Sequence, residues 1–184
     1  MSKSCVHPRR RAVLIATAAG LAGHRAWAQG SAPRTLAWSE LVPKDWDPFK
    51  GQRNRDPAKV REGSANELAM MREMRTVWDN APTRADLEGA RIRLPGYVVP
   101  LDNQPGGKIG EFLLVPYFGA CIHSPPPPAN QIVHVRLKTP AVWHAMDTVW
   151  VTGALATERS NTDMGVSGYA LAAELVEPYK APAR

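Results

Sequence analysis

Cysteine is scarce in this 184-residue chain: there are two, Cys5 and Cys121. Two thiols so far apart make no disulfide framework, so the fold must rest on a core. Acidic residues are missing from the first 28 positions, which hold Lys3, Arg9, Arg10, Arg11 and Arg25. The formal charge of +6 is therefore concentrated there, and from Gln29 onward 18 basic residues face 17 acidic ones. A protein that grips nucleic acid keeps a basic excess on its folded part; this one does not, and nucleic acid is excluded as a partner. No apolar run approaches the ~20 residues that cross a bilayer, so no integral span is expected once the leader is removed. Also missing are C-x-x-C, C-x-x-C-H, G-x-S-x-G, H-E-x-x-H and a phosphate-cradling glycine loop, which removes dithiol redox, covalent haem and the commoner hydrolase designs. Proline and glycine, by contrast, are plentiful at 17 and 14, against a helical bundle.

Residues 1–28 read as an export signal. Arg9 to Arg11 precede an apolar run from Ala12 to Ala22, and Ala26-Trp27-Ala28 supplies an A-x-A cleavage site. Arg10-Arg11-Ala12-Val13-Leu14 and the later Arg25 resemble a twin-arginine signal. The expected address is periplasmic or secreted. A mature chain starting near Gln29 keeps only Cys121, which is then buried, metal-bound or paired with another molecule.

Residues 29–64 are interrupted by Pro33, Pro43, Pro48 and Pro57 but carry Trp38, Leu41, Trp46 and Phe49. They read as an extended arm anchored by those side chains. Residues 65–180 read as the folded domain with a leading helix. That helix is predicted from about Asn66 to Asp79, with Ser64 as N-cap and Glu67 three residues on. Leu68, Met70, Met71, Met74, Val77 and Trp78 give it a broad apolar face. Its three methionines offer soft thioethers to copper(I), but an ordinary core face is the preferred reading.

After Gly89 the period changes from 3.6 to 2. Strands are predicted over 90–101, 111–116, 130–138, 148–157 and 168–177, with a bulge or sharp bend at Pro95-Gly96, a turn at 103–107 and one helical turn within 140–146. Val133, Val135 and Leu137 are set to face one way, and Ile132, His134 and Arg136 the other. The expected fold is mainly β: a small five-stranded OB-like barrel, with a sandwich or an open α+β sheet as second choice.

The unusual segment is PYFGACIHSPPPPANQ, residues 116–131. So long a connection is usually functional. Pro125, Pro126, Pro127 and Pro128 set a polyproline II rod of ~12 Å. Cys121 and His123 precede it and, two apart in extended chain, point to one side. A thiolate and an imidazole suit zinc, and copper(I) favours the thiolate. His134 is the first candidate for a third ligand, followed by His144, Glu111 and Asp102. The same pair also suits a thiol nucleophile, or Cys121 is simply a small buried hydrophobe.

The stretch FLLVPYFGACIHSPPPPANQ, Phe112 to Gln131, with a looser match over about 36–178 that takes in LAWSELVPKDWDPF and VWDNAP, resembles the bacterial family known as domain of unknown function 3299. Cys121, His123, Pro125 to Pro128, Asn130 and Gln131 match its signature loop; Ser124 stands where a larger aliphatic residue is expected. The resemblance implies an exported protein or lipoprotein. It also implies association with ABC-transporter genes and zinc-responsive clusters, and transfers no catalytic residue.

The preferred reading is an exported accessory or binding protein, not an enzyme. It holds a zinc ion through Cys121, His123 and His134, or assists an inner-membrane ABC-type transporter. Tyr117, Phe118, Pro125 to Pro128, Asn130 and Gln131 form the partner-facing loop. The alternatives are a thiol-dependent enzyme or redox protein using Cys121, and a partner-docking barrel in which Cys121 is structural.

Overall fold

The computed structural model describes residues 32–50, 63–120 and 126–180. The predicted signal segment 1–28 lies outside the described residues, as do Cys121, His123 and Pro125. In chain order the elements are β1 (Arg34–Thr35), α1 (Ala65–Asp79), β2 (Arg91–Pro100), β3 (Lys108–Val115), β4 (Val133–Val142), β5 (Thr148–Ala156), β6 (Ser160–Thr162), β7 (Gly165–Ser167) and β8 (Tyr169–Pro178).

Five of the strands close on themselves in the order β2-β3-β4-β8-β5 and back to β2. Every contact is antiparallel except β4 with β8. That is an OB-like barrel, and the five predicted strands are its five staves. Closure depends on β2, which pairs with β5 from Arg91 to Tyr97 and with β3 from Tyr97 to Pro100. The hand-over falls beside Gly96, where an added Cβ would lie 2.8 Å from Leu114 Cγ and the Val115 carbonyl. Pro95-Gly96 is therefore not a bulge, since the register against β5 runs through it unbroken. The bulges lie elsewhere, between Ile109 and Glu111 in β3 and at Thr152/Gly153 in β5.

Alternation fills the interior. Ile92, Leu94, Phe112, Leu114, Val133 and Leu171 are fully buried inside the barrel. The described part of the arm adds Leu36 and Leu41 to the same cluster, each contributing about 1.5–3 kcal/mol of apolar burial. Three polar contacts fix it there. Trp38 Nε1 donates to the Pro95 carbonyl at 2.7 Å. The Tyr169 hydroxyl donates to the Leu41 carbonyl at 2.7 Å and accepts from the Arg84 amide at 2.7 Å. Tyr169 thus clasps the arm to the 3₁₀ turn that leads into β2.

Three expectations are corrected. The stretch 140–146 forms no helical turn: β4 continues to Val142, and a turn at 144–147 carries Met146 at φ +68°. A short hairpin, β6–β7, sits in the β5–β8 connection. Its strands are three residues each, too short for periodicity to register. The third correction concerns α1. Its start is as read: Ser64 Oγ accepts from the Glu67 amide at 3.2 Å, while the Glu67 carboxylate accepts from the Gly63 amide at 2.5 Å. Its apolar stripe, however, is no core face. None of its residues is buried, and Leu68 and Met71 are 49% and 56% exposed. The helix contacts the rest of the described chain chiefly at β7 of that hairpin.

Among the described residues no helix is long and apolar enough to cross a membrane.

Candidate functional site

Residues paired across neighbouring strands point to the same side of a sheet. The register therefore places Val99, Leu113, His134 and Ala170 in one row on the outside of the barrel. Glu111 and Arg136 form the next row. A second apolar cluster grows here from Val99, Leu113, Val115, Ala120 and Ile132. This outer face is thus no ordinary wet surface, because the loop after β3 and the β6–β7 hairpin lie over it.

Between the hairpin and the barrel wall opens a cleft of about 530 Å³. Pro100 and Leu101 of the β2 end, Glu111 and His134 line one side; the hairpin residues Ser160 to Met164 line the other. This is the side of an OB barrel, its second and third staves with the adjoining loops, on which such folds commonly take ligands.

His134 lies at the bottom. It is only 6% exposed, and its Nε2 stands 2.7 Å from Glu111 Oε2. An ionised carboxylate only accepts hydrogen bonds, so Nε2 donates to it, and in the neutral ring Nδ1 is then an acceptor. Nδ1 is shielded from solvent and has no hydrogen-bond partner among the described residues. Next to this pair Arg136 and Glu158 form a two-pronged ion pair at 2.6 and 3.1 Å. The Arg136 hydrogen bond and charge hold the Glu158 carboxyl below the usual range.

The remaining ligand candidates are not brought to this point. Asp102 accepts from the Gly110 and Glu111 amides and from Gln104 Nε2, between 2.7 and 3.2 Å, and so braces the β3 bulge. His144 lies on the exposed turn before β5, where its Nδ1 faces Asp147 at 3.4 Å. Among the described residues no three His, Cys, Asp or Glu side chains are grouped to hold a metal ion. Cys121 and His123, the other two proposed ligands, lie outside the described residues.

The described parts of the signature loop have distinct roles. Ala120 is buried in the outer cluster. Pro126 packs so closely on Gly165 that a Cβ there would lie 3.1 Å from the Pro126 Cβ. Pro127 is buried, and Pro128 has φ −56° and ψ 148°, close to polyproline II geometry. Asn130 is fully buried and donates from Nδ2 to the Pro82 carbonyl at 3.1 Å. Gln131 closes a 3₁₀ turn, its amide donating to the Pro128 carbonyl at 2.8 Å. Tyr117 and Phe118 turn outward instead. Phe118 is 67% exposed and meets the Tyr97 ring edge-on at 5.9 Å.

A family model described as a protein of unknown function, DUF3299, matches residues 38–178. The chain belongs to the DUF3299 family. A crystal structure of a DUF3299 family protein from Pseudomonas aeruginosa PAO1 is similar to it, with 35% identity and a TM-score of 0.64. The match covers 83% of this chain and 100% of that one. No curated protein matches the chain. Sequence reasoning named Glu111 and His134 but missed the opposite wall. Ser160 to Met164 carry no motif, and only the polar run between two apolar strands marked them as a loop.

Proposed function

We propose that this DUF3299 chain is an exported accessory protein of the periplasm that binds a transition-metal ion, zinc foremost, on the outer face of its barrel. His134 carries this reading. A buried acceptor without a partner costs about 1–3 kcal/mol, and a bound ion is among its ordinary explanations. An imidazole held by a carboxylate through one nitrogen, with the other bare, is the arrangement that orients histidine toward zinc. Cys121 and His123 are the proposed further ligands. Ala120, which precedes them, shares the outer apolar cluster with Ile132, two positions before His134. Service to an inner-membrane ABC-type transporter, and export itself, are supported by the family resemblance and the leader of residues 1–28.

Calorimetric titration with zinc tests the site. The chain is expected to take one zinc, His134→Ala to lose it, and Glu111→Gln to bind about 10–100-fold more weakly. Equal affinity in His134→Ala, or no binding by the unaltered chain, would reject it. One observation favours a second reading, that of a docking barrel: the aromatics Tyr117 and Phe118 are exposed on the loop, with Phe118 edge-on to Tyr97. In that case Phe118→Ala releases a membrane partner while zinc binding is unchanged.

A further inference from the structure

We propose that the open end of the seam between β4 and β8 is a docking slot for an extended segment of a partner protein, apolar along its length and acidic at the mouth. The two strands pair only from Val133 with Tyr169 to Leu137 with Ala173. Yet β4 runs on to Val142 and β8 to Pro178. Each is bent where they part. In β8 Glu174 is an extra residue, since Ala173 stands opposite Gly153 and Leu175 opposite Thr152. In β4 Leu137 to Pro140 stand opposite Gly110 alone. Bulges of this kind end pairing and bend the strand. The slot they open measures about 390 Å³, walled by Leu137, Ala141 and Trp143 on the β4 side and by Ala173, Leu175 and Val176 of β8. Leu137, Trp143 and Val176 pack on the main core but remain only partly covered, and Leu175 is 51% exposed.

A strand is the occupant because the fold already takes one at its other opening. β3 reaches β2 only from Tyr97 to Pro100. Where β3 is absent, β1 of the arm pairs with Ile92 and Arg93, and the Leu36 amide donates to the Arg93 carbonyl at 3.0 Å. Among the described residues no strand does the same between β4 and β8. Edges that must stay unpaired carry lysine or proline. The β4 edge has both, Lys138 and Pro140, whereas Leu175 to Glu177 of β8 have neither. Main-chain hydrogen bonds to β8 therefore hold the segment, and its alternate side chains enter the slot. Charge selects its sequence. Glu174 is committed to Arg91 at 2.8 Å, and Glu177 lies 3.6 Å from Arg93. Lys138 acts on Glu174 across the mouth only through space and has no ion pair of its own among the described residues. The unanswered charge at the slot is positive, which calls for an acidic residue on the guest.

The probe is a fluorescent, end-blocked peptide of alternating threonine and valine with one glutamate, titrated against the full chain. Saturable binding is expected, with amide hydrogen exchange slowed over Leu175 to Glu177. A copy N-methylated throughout cannot form the main-chain ladder and should not bind. Lysine in place of the glutamate should weaken binding about 3–10-fold. Lys138→Glu, at an exposed side chain, should invert that preference, and Leu175→Asp should abolish binding, both with far-ultraviolet circular dichroism retained. No binding, equal binding of the N-methylated copy, or a preference that Lys138→Glu leaves unchanged would each overturn the proposal. A dimer of the chain that Leu175→Asp splits would give the slot to a second copy and overturn it too. None of these outcomes bears on zinc at His134, which sits at the paired end of the seam, opposite Ala170.

Discussion

Tyr169→Phe removes one oxygen atom from the barrel and should cost far more than most single-atom changes. The side chain is fully buried, and its hydroxyl is the link among the arm, the turn before β2 and the start of β8. Phenylalanine keeps the ring, so no cavity forms and the cavity contribution is negligible. What is lost is a hydrogen bond to the Leu41 carbonyl and another from the Arg84 amide. Each is worth about 0.5–1.5 kcal/mol net, and a buried group left without a partner costs about 1–3 kcal/mol. Some relief comes from shifts of the arm, so a total near 2–4 kcal/mol is expected. With a urea m-value of about 1–3 kcal/mol/M for a domain of this size, the midpoint should fall by roughly 1–2 M.

A pH series sharpens the test. Burial, the largest influence, pushes the Tyr169 hydroxyl above its usual range, and the Arg84 amide and charge only partly oppose it. Since the folded value is raised, the unfolded chain ionises first. The tyrosine's contribution is complete below about pH 10 and is lost above it. The gap between the unaltered chain and Tyr169→Phe should therefore narrow in alkali. A midpoint shift under about 0.3 M at neutral pH, or a gap that widens with pH, would refute the clasp.

Gly153→Ala should destabilise by about 3 kcal/mol or more, because the new Cβ would lie 2.2 Å from the Ala172 carbonyl oxygen; thermal unfolding reads it. Leu68→Gln on α1 should change stability by less than about 0.5 kcal/mol, whereas a core helix would lose about 2–5 kcal/mol on comparable truncation. For Asp102, burial opposes the charge, but Gln104 Nε2 and the Glu111 and Gly110 amides together outweigh it and hold the carboxyl below its usual range. Its contribution is therefore present above about pH 3.9 and is lost as pH falls through the lower folded value. Asp102→Asn should flatten that acid limb in urea titrations between about pH 2 and 5.

The barrel was legible because two of its staves, 90–101 and 130–138, alternate with a period of two, and the other three are short apolar runs set off by glycine or proline. Val133, Val135 and Leu137 face the interior cluster, and His134 and Arg136 the outside, as alternation requires. The role of Gly96 was half legible: the residue signals close approach, but only closure shows that β2 changes partners there. The α1 stripe misled for the opposite reason. Periodicity records which residues share a face, and whether anything covers that face is a tertiary fact. At the candidate site, Glu111 and His134 look like two positions in unrelated strands. They meet because antiparallel pairing of β3 with β4 sets Leu113 opposite His134 and brings Glu111 within reach. The hairpin wall, with strands of three residues, left no periodic trace.

Nitrogen NMR of the His134 imidazole during a zinc titration tests the central claim most directly. Before metal is added the account predicts a proton on Nε2, held by Glu111, and an unprotonated Nδ1. One equivalent of zinc should move the Nδ1 resonance and leave the Nε2 proton in place. A proton found on Nδ1, or a His134 spectrum that zinc leaves unchanged, would contradict it.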